Sequence, residues 1–431
     1  MKTSSLIPCL LALAGLLAAP LASSAADLVV TNLADSGPGT LRSAITNAAS
    51  GAVITFDPSL SGATITLSNT LTVNTNLTID ASALPGGLQI NGNGSVQIFN
   101  VASNTFVFLN SLTITNGYST NNGGGIYNGG TLTLTNCTLS GNSATLGGGG
   151  IYNHSGTVKL NQCTLSGNSA SVAIAYGGGI NNIFGIITLN QCTLSGNIAL
   201  LGGGIFNGYP GTLTMNQSTL SGNIAGTGGG VWLENAAVMT NTIIAGNTAD
   251  NGADIVYNHA TLTYGGSNLV RSVATTYGGT ITGPAPLTNA PDLAPLGNYG
   301  GPTQTMPPLP GSPAIGAGSV AANTFSTDQR GYPRTQNGLI DIGAVELQSP
   351  AANPPVLKNI TVPAGGGNGL QFTFTNAPAA DFTVLTATNV SLALTNWTVL
   401  GEVQQVAPGQ YQFTDPQAAT NTGRFYRVRS P

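Results

Sequence analysis

Charge is what this 431-residue chain has least of: only 6% of its residues are Asp, Glu, Lys or Arg, and the formal net charge is −4. No basic stretch offers a phosphate backbone its counter-charges, so nucleic acid is excluded as an expected partner. Between residues 81 and 233 the one charged side chain is Lys159. Glycoside hydrolysis calls for two suitably spaced carboxyl groups, and pectate-lyase chemistry needs acidic calcium ligands and a base. This stretch supplies neither, so the expectation is a non-enzymatic protein without cofactor or metal. His154 is a single histidine beside a turn and reads as a solvated corner. Acids return at Glu234, Asp250, Asp254 and Asp292 without repeat spacing, which leaves a calcium site there open. Cysteine is scarce too: beyond Cys9 only Cys137, Cys163 and Cys192 remain, an odd number that excludes a complete disulfide framework. After the first 26 residues no apolar run is long enough for a membrane-spanning helix. Mean hydropathy is nevertheless positive at +0.19, the opposite of the disordered pattern.

The apolar run that does exist is a leader. Lys2 opens the chain, Leu6 to Ala19 is almost wholly apolar, and Ala22-Ser23-Ser24-Ala25-Ala26 supplies small residues for cleavage. That order predicts a secretory signal peptide over 1–26 and a mature chain that is secreted or at the cell surface. Cys9 lies inside the apolar run behind Pro8, without the small residues that lead into a lipidation site.

What the chain has in abundance is repetition. Gly123-Gly124-Gly125-Ile126-Tyr127-Asn128 returns at Gly148 to Asn153, Gly177 to Asn182 and Gly202 to Asn207, and Gly228-Gly229-Gly230-Val231-Trp232 is a fifth copy. Between these, Cys137-Thr138-Leu139-Ser140-Gly141-Asn142 returns at Cys163 to Asn168, Cys192 to Asn197 and Ser218 to Asn223, then in weaker form at Thr242 to Asn247. Segments such as Thr131 to Thr135 and Thr212 to Met215 alternate Thr with Leu or Met, the period of a strand with one buried face. Gly and Asn between them suit corners that need positive φ. No helical periodicity intervenes. The prediction is an all-β protein, a right-handed parallel β-helix over 27–283 with three corners per coil. The less regular coils begin at Ala63 to Leu67, Leu77 to Ile79, Leu88 to Ile90 and Phe106 to Leu109.

Stacked coils turn repeated positions into ladders. Ile126, Ile151, Ile180, Ile205 and Val231 should line the interior, as should Leu139, Leu165, Leu194 and Leu220. Cys137, Cys163 and Cys192 form a column continued by Ser218, read as small buried residues rather than as a metal or redox site. Asn142, Asn168, Asn197, Asn223 and Asn247 read as a turn ladder of amides. Alternation sends the residue after each Ile outward. Tyr127, Tyr152, Asn181, Phe206 and Trp232 are therefore the candidate glycan-binding residues, a column at ~4.8 Å intervals. The alternative is that they pack beneath the long Ser169–Tyr176 insertion or a neighbouring loop.

A solenoid has open ends that need covering. Thr40 to Ala48 is amphipathic, with Leu41, Ala44, Ile45 and Ala48 on one face, and is predicted to cap the N-terminal end. Asp328, Arg330, Arg334, Asp341 and Glu346 are the densest charged group. They read as ion pairs locking a C-terminal cap over 284–348, with ligand or ion binding as the alternative. Residues 349–355 are a linker by composition. Beyond them, alternating runs at Leu370 to Phe374, Phe382 to Leu385, Trp397 to Leu400, Tyr411 to Phe413 and Phe425 to Val428 predict a small antiparallel β-sandwich over 356–431.

The paired motifs resemble the repeats of bacterial polymorphic outer-membrane proteins, with Leu where those repeats carry an aromatic. Thr31 to Arg42, Asn298 to Thr303, Asp328 to Arg334 and Asp341 to Glu346 resemble the broader group of secreted right-handed β-helix proteins with a choice-of-anchor Q region. That resemblance spans roughly residues 27 to 348. It implies export and surface display, an anchoring or sorting module after the helix, and no reaction. The sequence thus predicts an exported, adhesin-like binding protein whose partner is a polysaccharide or cell-surface glycan, with outer-membrane association through the C-terminal module. A β-helix polysaccharide lyase or hydrolase and a purely structural envelope protein are the rival readings.

Overall fold

The computed structural model describes residues 28–171, 175–348, 355–361, 369–376, 380–407, 409–418 and 424–430. The predicted leader at 1–26 and nearly all of the predicted 349–355 linker lie outside them. Each sequence repeat becomes one coil, and about nine coils stack as a parallel β-solenoid. A wide eleven-stranded sheet runs from Leu28–Val30 through Thr131–Thr135 to Gly279–Thr282. One nine-stranded sheet holds the Ile-x-Asn strands, such as Ile126–Asn128 and Ile151–His154. A second holds the Thr-Leu-Ser strands, such as Thr138–Ser140 and Thr164–Ser166.

The three-cornered coil needs one correction. From Tyr118–Ser119 to Thr248–Asn251 a fourth, narrow sheet of six strands closes each coil. Its strands, for example Ser143–Ala144, are as short as two residues, too short for an alternating pattern to announce them.

The interior ladders lie where expected. Ile126, Ile151, Ile180, Ile205 and Val231 pair in register and are completely buried. Leu139, Leu165, Leu194 and Leu220 do the same. Cys137, Cys163 and Cys192 are buried free thiols in the same core. Burial, and then the neighbouring Cys137 and Cys192, push the Cys163 thiol well up, which removes it from thiolate chemistry.

The asparagine ladder is internal and continuous. Asn197 Oδ1 accepts from both the backbone N–H and the Nδ2 of Asn168, at 3.1 and 2.9 Å. Its Nδ2 donates to Leu165 O at 3.0 Å and to Asn223 Oδ1 at 2.8 Å. The pattern repeats from Asn142 to Asn247, where Asp254 Oδ1 takes the last two donors. A second buried ladder joins Asn128, Asn153, Asn182 and Asn207 at 2.7–2.8 Å. Glycine is required beside these ladders because coils approach closely: a Cβ on Gly178 would lie 2.7 Å from Gly203 O.

Leu41–Asn47 is the predicted helix, N-capped by the Thr40 hydroxyl, which accepts from Ser43 N. Leu41 and Ile45 enter the core at the N-terminal end, so the first coil is covered.

Residues 284–348 were expected to cap the other end; instead they run back along the flank as a strap. Outward-facing Thr164, Thr193 and Thr219 of the Thr-Leu-Ser sheet are buried beneath it. Thr164 Oγ1 donates to Gln304 O at 2.5 Å, Thr193 Oγ1 to Gln329 Oε1 at 2.6 Å, and Ala344 N donates to Thr219 Oγ1 at 3.0 Å. Further along, Ile243 and Leu269 replace those threonines and seat Ala314 and Ile342. The same column thus offers hydroxyls to one part of the strap and methyls to the other. The final strand, Gly279–Thr282, is exposed throughout.

The C-terminal module is antiparallel. Lys358–Thr361, Leu370–Thr375, Gln410–Asp415 and Gln404–Ala407 form one sheet, and Thr398–Glu402, Thr383–Ala387 and Phe425–Arg429 the other. They face each other across Phe372, Phe374, Phe382, Val384 and Tyr411. Lys358–Thr361 and Gln404–Ala407 are strands the sequence pattern did not single out.

Candidate functional site

The candidate column is in register: Tyr127 pairs with Tyr152, Tyr152 with Asn181, Asn181 with Phe206, and Phe206 with Trp232. Exposure divides it in two. Tyr127 and Tyr152 are half-buried. Asn181, Phe206 and Trp232 are only 2%, 4% and 8% exposed, which corrects the expectation of a continuous outward row. Phe206 and Trp232 pack with Val256 against Tyr176, Ile183 and Leu201, and the Tyr176 and Phe206 rings lie 4.7 Å apart. Large apolar rings on a crowded outer face are covered because a neighbouring segment reaches them. Trp232 also donates from Nε1 to Glu234 Oε1 at 3.3 Å.

The open half is larger than the column predicted. The Tyr127 and Tyr152 rings are 5.3 Å apart, His154 stacks on Tyr152 at 6.0 Å, and Phe184 meets His154 edge-on at 5.9 Å. Phe184 is 56% exposed. On the other side of Tyr127, a cavity of about 230 Å³ is lined by Gln97, Asn100, Ser119, Asn121 and Asn122. Asn100 is the residue in register beneath Tyr127. His154, read from the sequence as a solvated corner, joins the face from two residues beyond the repeat position, and Phe184 escaped the sequence reading because it lies at a corner, with φ +60°. The outward direction of alternate residues after Ile151 was the available signal.

The charged group occupies the seam between strap and terminal module. Arg330 is buried and donates to Asp328 at 3.0 Å, to Asp381 at 2.8 Å, to Tyr299 O at 3.2 Å and to Glu346 O at 2.7 Å. Burial alone would lower its guanidinium, but Asp381 and Asp328 outweigh that and hold it above its ordinary value. Arg334 binds the carbonyls of Asp341 and Gly343 at 2.6 and 2.8 Å, and burial lowers it. Asp341 accepts from Gly316 N and Leu347 N, both at 2.7 Å. These side chains hold backbone and each other. Asp381, from the terminal module, joins the network that the sequence placed within 328–346.

No protein-family model and no curated protein matches the chain. The site is therefore read from its own geometry.

Among the described residues no three His, Cys, Asp or Glu side chains gather as metal ligands. The late acids do not converge: Asp250 and Asp292 are exposed, while both Asp254 oxygens are occupied, by Asn247 and by Ser272.

Two carboxyls near the seam make a pH prediction. Glu346 is pushed up to about 8 by burial and then by Asp341, and Glu402 to about 8 by burial and then by Asp381. At these two groups the folded chain keeps protons that the unfolded chain releases above pH 4.5, so their contribution to stability falls as pH rises from about 4.5 to about 8. The slope reaches about 1.4 kcal/mol per pH unit for each group. Thermal unfolding should give a lower midpoint at pH 8.5 than at pH 5.5, and Glu402→Gln should flatten the dependence. A midpoint that rises across this window would refute the assignment.

Proposed function

We propose that this chain is an exported, adhesin-like binding protein of the cell surface or extracellular medium, in which a rigid β-helix presents the Tyr127–Tyr152 face to a glycan. The observation that carries the reading is the pair of half-exposed tyrosine rings 5.3 Å apart on successive coils, bordered by a cavity lined with amide and hydroxyl side chains. Flat rings bury the apolar face of a sugar, while amides, which both donate and accept, match its hydroxyls. The helix is the non-catalytic support in this reading, and the terminal sandwich serves display or anchoring, in keeping with the choice-of-anchor resemblance.

The test is retention of the mature chain on a glycan panel, before and after substitution. Tyr127→Ala and Tyr152→Ala should each weaken binding about fivefold, since a lost aromatic contact is worth roughly 1 kcal/mol. Trp232→Ala is the folding control, because its ring is buried and contributes packing. Undiminished binding by the Tyr127→Ala/Tyr152→Ala double variant would remove this face from the proposal.

A further inference from the structure

Resting on the glycan reading of this face, we propose that its ligand is a neutral polysaccharide, held along the helix axis over a footprint of about three to four sugar units, set by the ~4.8 Å coil spacing. The proposal stands on charge and on length. Apart from Thr72, every residue of the face lies within 81–233, where Lys159 is the one charged side chain. Lys159 is on the wide sheet, in register with Thr133 and Thr188, and not on the sheet that carries Tyr127 and Tyr152. A uronate or sulfate bound here would shed hydration with no Lys or Arg to replace it and only the single imidazole of His154 beside Tyr152, a cost that selects against acidic polymers at pH 7.5. Asn100, Asn121 and Asn122 present neutral amides to the cavity, while Gln97 Nε2 is tied to Asn122 O and Gly123 O and leaves its Oε1 as an acceptor.

The footprint follows from the coils. Asn100, Tyr127 and Tyr152 occupy one column, spaced by ~4.8 Å per coil. The next position, Asn181, is buried, and beyond it Phe206 and Trp232 lie under Tyr176 and Leu201. The open row therefore stops at Tyr152 on that side, while on the other it continues from Asn100 to exposed Thr72, where the sheet ends; it spans four coils, and a longer polymer gains no further contacts along it.

The decisive experiment compares neutral polymers (xylan, galactan, mannan, dextran) with acidic ones (polygalacturonate, alginate, heparin). The full mature chain and its Tyr152→Ala variant are used at pH 7.5, in low and high salt. The proposal expects Tyr152-dependent binding to at least one neutral polymer, changing less than about twofold between low and high salt because no ion pairs are formed. Within that polymer's oligosaccharide series, affinity should rise up to the tetramer and then level off. Binding confined to acidic polymers, or weakened severalfold by salt, would overturn the neutral class yet keep the glycan reading. Affinity that keeps climbing to the hexamer would overturn the footprint. Absence of binding to every polymer would overturn the glycan reading itself.

Discussion

Replacing Arg330 with methionine is expected to destabilise the chain by about 3–5 kcal/mol, because removing one partner of a buried ion pair strands the other. Asp328 is completely buried and Asp381 is 7% exposed. Each directs one oxygen at the guanidinium, and the Tyr299 and Glu346 carbonyls lose their donors at the same time. The loss should fall on the attachment of strap and terminal module rather than on the coils, whose hydrogen bonds are independent of Arg330. Urea unfolding with limited proteolysis would show it: cleavage within 284–348 should accelerate while the region 81–233 stays protected. Adding Asp328→Asn and Asp381→Asn should recover part of the loss, since the stranded charges are then gone. A cost below about 1 kcal/mol would mean that the seam is solvated and the network dispensable.

Asn197→Ala should be of similar size but act inside the coils. It removes the acceptor of two Asn168 donors and the donor to Leu165 O, leaving three buried polar groups unpaired at about 1–3 kcal/mol each. A total near 3–6 kcal/mol is expected, measured by equilibrium denaturation. Amide exchange should accelerate in the coils on either side, because a solenoid distributes stability among neighbouring repeats. Asn216→Ala makes the contrast. Its Nδ2 bonds Asn190 at 3.0 Å on a half-buried outer row where water can substitute, so about 1 kcal/mol or less is expected. Equal costs at the two sites would contradict the account of the internal ladder.

Much of this architecture was legible before any coordinates. The repeats of Gly-Gly-Gly-Ile and Thr-Leu-Ser-Gly-Asn locate the coils, the inward aliphatic ladders and the turn ladder of asparagines, because in-register parallel stacking leaves each repeated position one environment; that the asparagines are buried only the structure shows. The two-residue strands of the narrow sheet were not legible, being shorter than one alternation. Nor was the strap's course. Its docking surface is the outward column Thr164, Thr193, Thr219, Ile243 and Leu269, and the change from Thr to aliphatic there was a signal that repeat degeneracy concealed.

The candidate face shows the same division. Period-2 alternation determined that Tyr127, Tyr152, Asn181, Phe206 and Trp232 share one outward column, and the pairing register bears that out. Composition also determined that the face carries no charge. Which of these side chains meets solvent was decided only in three dimensions. Tyr176, Leu201 and Ile183 come from other strands or from beyond an insertion, and their closure over Phe206 and Trp232 depends on where the coils bring them. Alternation along a strand sets the direction of a side chain, whereas its burial depends on atoms that arrive from elsewhere in the chain.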